Sequence, residues 1–107
     1  MHKQMSLWDR RQASIDQRFV DFDRSNPHVW TEFEAMALRL SRAGHKRYSA
    51  DAILHVIRYD YDVRTLRASD SSDGFKINND FSSRYARKFA RQHPELSSFF
   101  EQRKLTA

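Results

Sequence analysis

A chain of 107 residues with 31% charged and 39% hydrophobic side chains has material for one modest core and not for two, because a domain of this size buries only about two-thirds of its unfolded surface. Its aromatic share of 13% is higher than disordered chains carry. The lack of cysteine excludes disulfides, thiol nucleophiles and thiolate metal sites, and the two glycines, Gly44 and Gly74, are too few for a dinucleotide fingerprint or a glycine-rich phosphate loop.

The first helical signal starts at Ser6, with Asp9 three positions on as a short-acid variant of the capping box. Trp8, Ile15, Phe19 and Phe22 follow at helical spacing and predict an amphipathic helix over 7–23, with Ser14 as a point where it bends or restarts. This helix reads as an accessory or dimerisation element of a single helical domain spanning 1–107, so both a monomer and a homodimer are compatible with it. Asn26-Pro27 marks the next boundary. Asn is a good N-cap, and Pro suits the first helical position because its missing N–H would be unpaired there. Val29, Phe33, Met36 and Leu40 then form one apolar stripe, which predicts a helix over 27–43 ended by Gly44 as a left-handed cap.

His45-Lys46-Arg47-Tyr48 is a short basic connector. Ser49 caps a third helix over 50–65, whose apolar start at Ile53, Leu54, Val56 and Ile57, continued by Tyr61, predicts neighbours on more than one side. Residues 67–74 read as a loop, Phe75-Lys76-Ile77 as one short strand and Asn78-Asn79-Asp80 as a turn or cap. Phe81, Tyr85 and Phe89 mark the inner face of a helix over 80–92. Pro94 opens a last short helix with Leu96, Phe99, Phe100 and Arg103 on one side. The fold class is thus mainly α: a compact bundle of four to five helices with 27–43 and 50–65 at the centre. A helix-turn-helix-like core is one arrangement of these elements, with at most a short β element near 75–77. The expected core is Trp8, Phe19, Phe33, Leu40, Ile53, Ile57, Phe81, Tyr85, Phe89 and Phe99.

The net charge of +5 is unevenly spread: residues 1–48 carry about +3, residues 49–73 about −2 and residues 74–107 about +4. A basic balance of this kind favours a polyanionic partner. The sharpest concentration is Arg84, Arg87, Lys88 and Arg91 at i, i+3, i+4 and i+7 beside the Phe81/Tyr85/Phe89 stripe, with no acidic residue between Phe81 and Gln92 to neutralise them. Lys76, Asn78 and Asn79 lie just before it. Such a helix suits a duplex, with cations on phosphates and Asn or Arg on base edges; Lys46 and Arg47 of the connector add phosphate contacts if they fall on the same side. The bland alternatives are a solvated face paired with Asp80, Glu95 or Glu101, and capping roles for Asn78 and Asn79.

Asp51, His55, Arg58 and Asp62 share a helix face and resemble an acid/base stripe, but Arg58 would repel a cation, and surface ion pairs explain the pattern better than a metal site. Tyr59-Asp60-Tyr61-Asp62 points in four directions on a helix and forms no single surface. No serine has nucleophile-elbow glycines around it, so neither catalysis nor a cofactor is expected. No apolar run approaches the roughly 18–20 residues of a membrane span, and residues 1–11 lack the apolar stretch of a signal peptide. The expectation is a cytoplasmic protein with no membrane partner.

Five segments carry a resemblance: Asn26-Pro27-His28-Val29, Gly44 to Ser49, Phe75 to Asn79, Ser83 to Arg87 and Phe100 to Arg103. Over residues 19–105 the chain resembles a family of small, mostly uncharacterised proteins encoded by bacteriophages, prophages and bacterial genomes. It departs from that pattern in having Tyr59 after Arg58, where Trp is frequent, and a longer loop at 69–73. The resemblance implies a phage-type origin and a cytoplasmic setting. With the basic helix it leads to a small non-enzymatic DNA-binding protein, such as a phage or mobile-element regulator, that prefers duplex DNA; the rival is an interaction protein whose partner is an acidic host enzyme or regulator.

Overall fold

The computed structural model describes residues 6–65 and 79–100. Four α-helices run in the order α1 (Leu7–Ser25), α2 (Pro27–Arg42), α3 (Ala50–Thr65) and α4 (Ser82–Gln92). A 3-10 turn at Asn79–Phe81 leads into α4 and a second, Pro94–Leu96, follows it. Mainly helical architecture is therefore what this sequence adopts, with no strand among the described residues. The expected strand at 75–77, the loop at 67–74, and Arg103 lie outside them.

Local chemistry sets the helix ends. The Ser6 hydroxyl accepts from the Asp9 N–H at 3.1 Å, and α1 then runs through Ser14 without a break. A single residue, Asn26, joins α1 to α2. Asn26 does not cap α2 through its side chain, as the sequence suggested. Its backbone N–H and its side-chain amide both donate to the Phe22 carbonyl, at 2.8 and 3.0 Å. With no room for a separate turn, Asn26 closes the end of α1, and Pro27 begins α2 without needing a partner for an N–H.

The α2 terminus is a Schellman motif: His45 N–H donates to Leu40 O and Gly44 N–H to Ser41 O, both at 3.1 Å. Gly44 has φ +109°, where side chains are strained although space is open around it. Ser49 caps α3 by accepting from Ala52 N–H at 3.2 Å. The connector before it is tied down from the far end of the chain: Tyr48 N–H donates to Phe99 O at 3.0 Å, and Tyr48 and Phe100 form an isolated parallel bridge.

The core joins all four helices. Ile15 and Phe19 of α1, Val29, Phe33 and Ala37 of α2, Ile53, Leu54 and Ile57 of α3, and Tyr85, Ala86 and Phe89 of α4 are buried together with Phe81, Phe99 and Phe100. Aromatic rings dominate. The Tyr85 ring meets Phe19 edge-on at 4.8 Å and stacks near Phe33 at 5.3 Å; Phe89 meets Phe100 edge-on at 5.2 Å. His93 stacks on Phe89 at 4.6 Å and its Nε2 lies 2.7 Å from the Glu34 carboxylate, which ties the end of α4 to α2. So α4 shares the centre with α2 and α3. Two expected core residues differ. Leu40 is only partly buried, and Trp8 keeps 38% of its surface exposed. Trp8 lies nearly two turns before Ile15, the first buried residue of α1, so it borders a cleft instead.

The Tyr85 hydroxyl is buried with no hydrogen-bond partner among the described residues. Burial, aided by the nearby Asp23 charge, raises its pKa well above the usual tyrosine value. Tyr85→Phe is therefore expected to hold or raise stability at neutral pH, by up to about 1 kcal/mol in urea unfolding. A raised folded-state pKa stabilises fully below about pH 10, the unfolded tyrosine value, and progressively less above it. Melting temperature should thus fall more steeply above pH 10 in the parent chain than in Tyr85→Phe. Gly44→Ala should cost about 1 kcal/mol through its positive φ, lowering the melting temperature by about 4–8 °C.

Candidate nucleic-acid interface

The four cations of α4 do not share one environment. Arg84 is 7% exposed. Its Nε donates to Asp16 at 2.9 Å, its Nη2 to the Gln12 side-chain oxygen at 2.6 Å, and its Nη1 to Asp80 O at 3.3 Å and Ser83 Oγ at 3.1 Å. Lys88 Nζ contacts Asp23 at 2.6 Å and lies 4.6 Å from the centre of the Trp30 ring. Arg87 is half-buried. Its Nε reaches Ser83 O at 3.4 Å, and its Nη2 is buried without a partner. Burial first, then the like charges of Arg84 and Arg91, lowers its pKa from the ordinary arginine value. Only Arg91 is exposed with no acidic partner among the described residues.

The expectation of an unneutralised basic helix is therefore corrected. No acid of α4 itself is involved; the partners come from α1, 68 and 65 residues away in sequence. A signal was present. Gln12, Asp16 and Asp23 line one side of the Ile15/Phe19 stripe at helical spacing, and Arg84 and Lys88 flank the Phe81/Tyr85/Phe89 stripe in the same way. Two amphipathic helices whose apolar stripes face each other bring such flanks into register. Of the acids expected as partners, Asp80 serves Arg84 through its carbonyl, Glu95 approaches His93 at 3.6 Å, and Glu101 lies outside the described residues.

Of the other sites, Lys76 and Asn78 lie outside the described residues, and Asn79 is the first residue of the 3-10 turn. Lys46 and Arg47 are exposed on the connector. Asp51, His55, Arg58 and Asp62 are all exposed and make no ion pair with one another.

The structure brings the connector to the start of α4, which the sequence could not show. A cleft of about 770 Å³ opens between the first turns of α1, the connector with the start of α3, and the start of α4. Trp8, Arg11 and Gln12 contribute from α1, Arg47, Tyr48 and Asp51 from the second wall, and Ser82, Ser83 and Arg84 from the third, with Ile15 and Ala86 beneath. Arg11 and Arg47 have no acidic partner among the described residues. Four of the five Arg84 N–H donors are taken by protein groups, and the residue serves as the built wall of the cleft.

These environments separate two kinds of arginine. Arg84→Ala should lower stability by about 2 kcal/mol, because it removes charge-assisted hydrogen bonds from a buried position. Arg91→Ala should change it by less than about 0.5 kcal/mol; paired urea melts check both. In comparisons with known proteins no family model, no curated protein and no solved structure matches this chain, so its functional reading rests on the geometry above.

Proposed function

We propose that the protein is a small non-enzymatic DNA-binding protein, of the regulator type that the phage-family resemblance suggests, and that it meets DNA at the cleft end of α4 and not along the helix. One observation carries the reading: Arg47 of the connector borders the same cleft as Arg11 and the start of α4, and neither arginine has an acidic partner among the described residues. Arg91, exposed near the opposite end of α4, supplies a second phosphate contact outside the cleft. It lies on the same side of α4 as Arg84, two turns or about 10 Å further on. Lys46 is exposed beside Arg47. Cations of this kind exchange counterions for phosphates and set the salt dependence of binding. A helix laid along a major groove is not part of the proposal, because α4 is buried or half-buried from Phe81 to Ala90. The sequence also offers no nucleophile elbow or phosphate loop, which favours binding without catalysis.

A second reading, an interaction protein acting on a host enzyme or regulator, is favoured by α3. Val56, Tyr59 and Val63 form an exposed apolar stripe on it, with Tyr59 68% exposed. Capture of partners from nuclease-treated lysate separates protein contact from nucleic-acid bridging.

The test of the leading reading is fluorescence anisotropy of labelled DNA across a salt series. Affinity should fall steeply with salt, and Arg47→Ala/Arg91→Ala should flatten the slope by about 2 without changing the melting temperature. Unchanged affinity in that double variant would overturn the assignment.

A further inference from the structure

We infer that the cleft between α1, the connector and the start of α4 takes an unpaired nucleotide of single-stranded nucleic acid, its base stacked on Trp8 or Tyr48 and its phosphate held by Arg11 or Arg47. This deepens the DNA-binding reading above and rests on it. The cleft pairs each half-exposed aromatic ring with its own arginine. Arg11 follows Trp8 by one helical turn, and Arg47 immediately precedes Tyr48. Both rings stand on fixed backbone. Trp8 is in the first turn of a helix capped by Ser6. The Tyr48 N–H is bonded to Phe99 O, and its ring is braced edge-on by His45 at 5.6 Å. Exposed aromatics on rigid supports are the common stacking platform for unpaired bases, which offer a π-face that a duplex hides.

Charge within the cleft sorts the two ends of a nucleotide. Arg84 is spent on Asp16 and Gln12, so it does not draw phosphate inward. Asp51 borders the cleft on the α3 side and Asp80 on the side of the turn before α4; their carboxylates repel phosphate from those walls, and Asp51 can accept an amino hydrogen from a base edge. The phosphate is therefore directed to Arg11 and Arg47 and the base inward. The volume of about 770 Å³ falls in the range of ordinary ligand clefts, about 300–1,000 Å³.

The experiment titrates the full chain with a mixed-sequence single-stranded decamer, the same sequence as a duplex, and a nucleoside monophosphate, reading anisotropy and tryptophan emission. The single strand should bind more tightly than the duplex and quench emission. Trp8→Phe should remove most of the quench, leaving the signal of Trp30. Trp8→Ala should weaken the single strand roughly 5- to 150-fold, the range for one lost stacking partner. Arg11→Ala, at an exposed position that does not affect folding, should weaken it independently. Duplex binding as tight as single-strand binding with unchanged emission would overturn this inference and leave the DNA-binding reading standing. No binding of either form at low salt would overturn both. Monophosphate binding as tight as the decamer's would overturn the polymer as ligand and assign the cleft to a free nucleotide.

Discussion

Burying α4 is the constraint on which the rest of the fold depends. The helix must place Tyr85 and Phe89 in the aromatic centre, yet it carries four cations in 11 residues and no acid. Removing such a helix from water leaves its charges unsolvated unless another element answers them. α1 supplies the answer. Asp16 and Gln12 take the Arg84 guanidinium, and Asp23 takes Lys88 while Trp30 covers its ammonium from α2. The same helix inserts Ile15 and Phe19 into the shared core. α1 thus works as both apolar cover and counter-charge for α4.

That division of labour explains which surface remains for function. Arg84 and Lys88, which answer to α1, are structural, whereas Arg91 has no acidic partner among the described residues. The boundary falls inside α4, between Lys88 and Arg91, and again at the connector, where Arg47 has no acidic partner among the described residues. Among the described residues two buried polar atoms, both on α4, stay unsatisfied: the Tyr85 hydroxyl and one Arg87 nitrogen. Each reduces a stability margin that is already small in a chain of this length.

Sequence patterns located what is encoded locally. The α2 limits were legible because Pro27 and Gly44 each act within one turn, and the Phe81/Tyr85/Phe89 stripe was legible because burial of α4 repeats every turn. Asn26 was misread because its role depends on having no residues to spare before Pro27. Trp8 was misread because amphipathic spacing does not say how far along α1 the other helices reach. The candidate site depended on contacts distant in sequence. Arg84 finds its acid 68 positions away. Arg47 borders the same cleft as the start of α4, and its neighbour Tyr48 is bonded to Phe99 at the other end of the described chain. Nothing in the spacing of the basic residues encodes either pairing.

The corner at Asn26 also governs how two copies of this chain can relate. One way for α1 to be exchanged between molecules is for α1 and α2 to straighten into one long rod, with the hinge at Asn26 opening. Pro27 cannot supply an N–H to that rod, and it disfavours helical backbone angles at Asn26, which sits at φ −132°, ψ 61°. Both of its donors are meanwhile spent on Phe22 O. Within one chain the acids of α1 pair with the α4 of the same copy, so the counter-charge is supplied in cis.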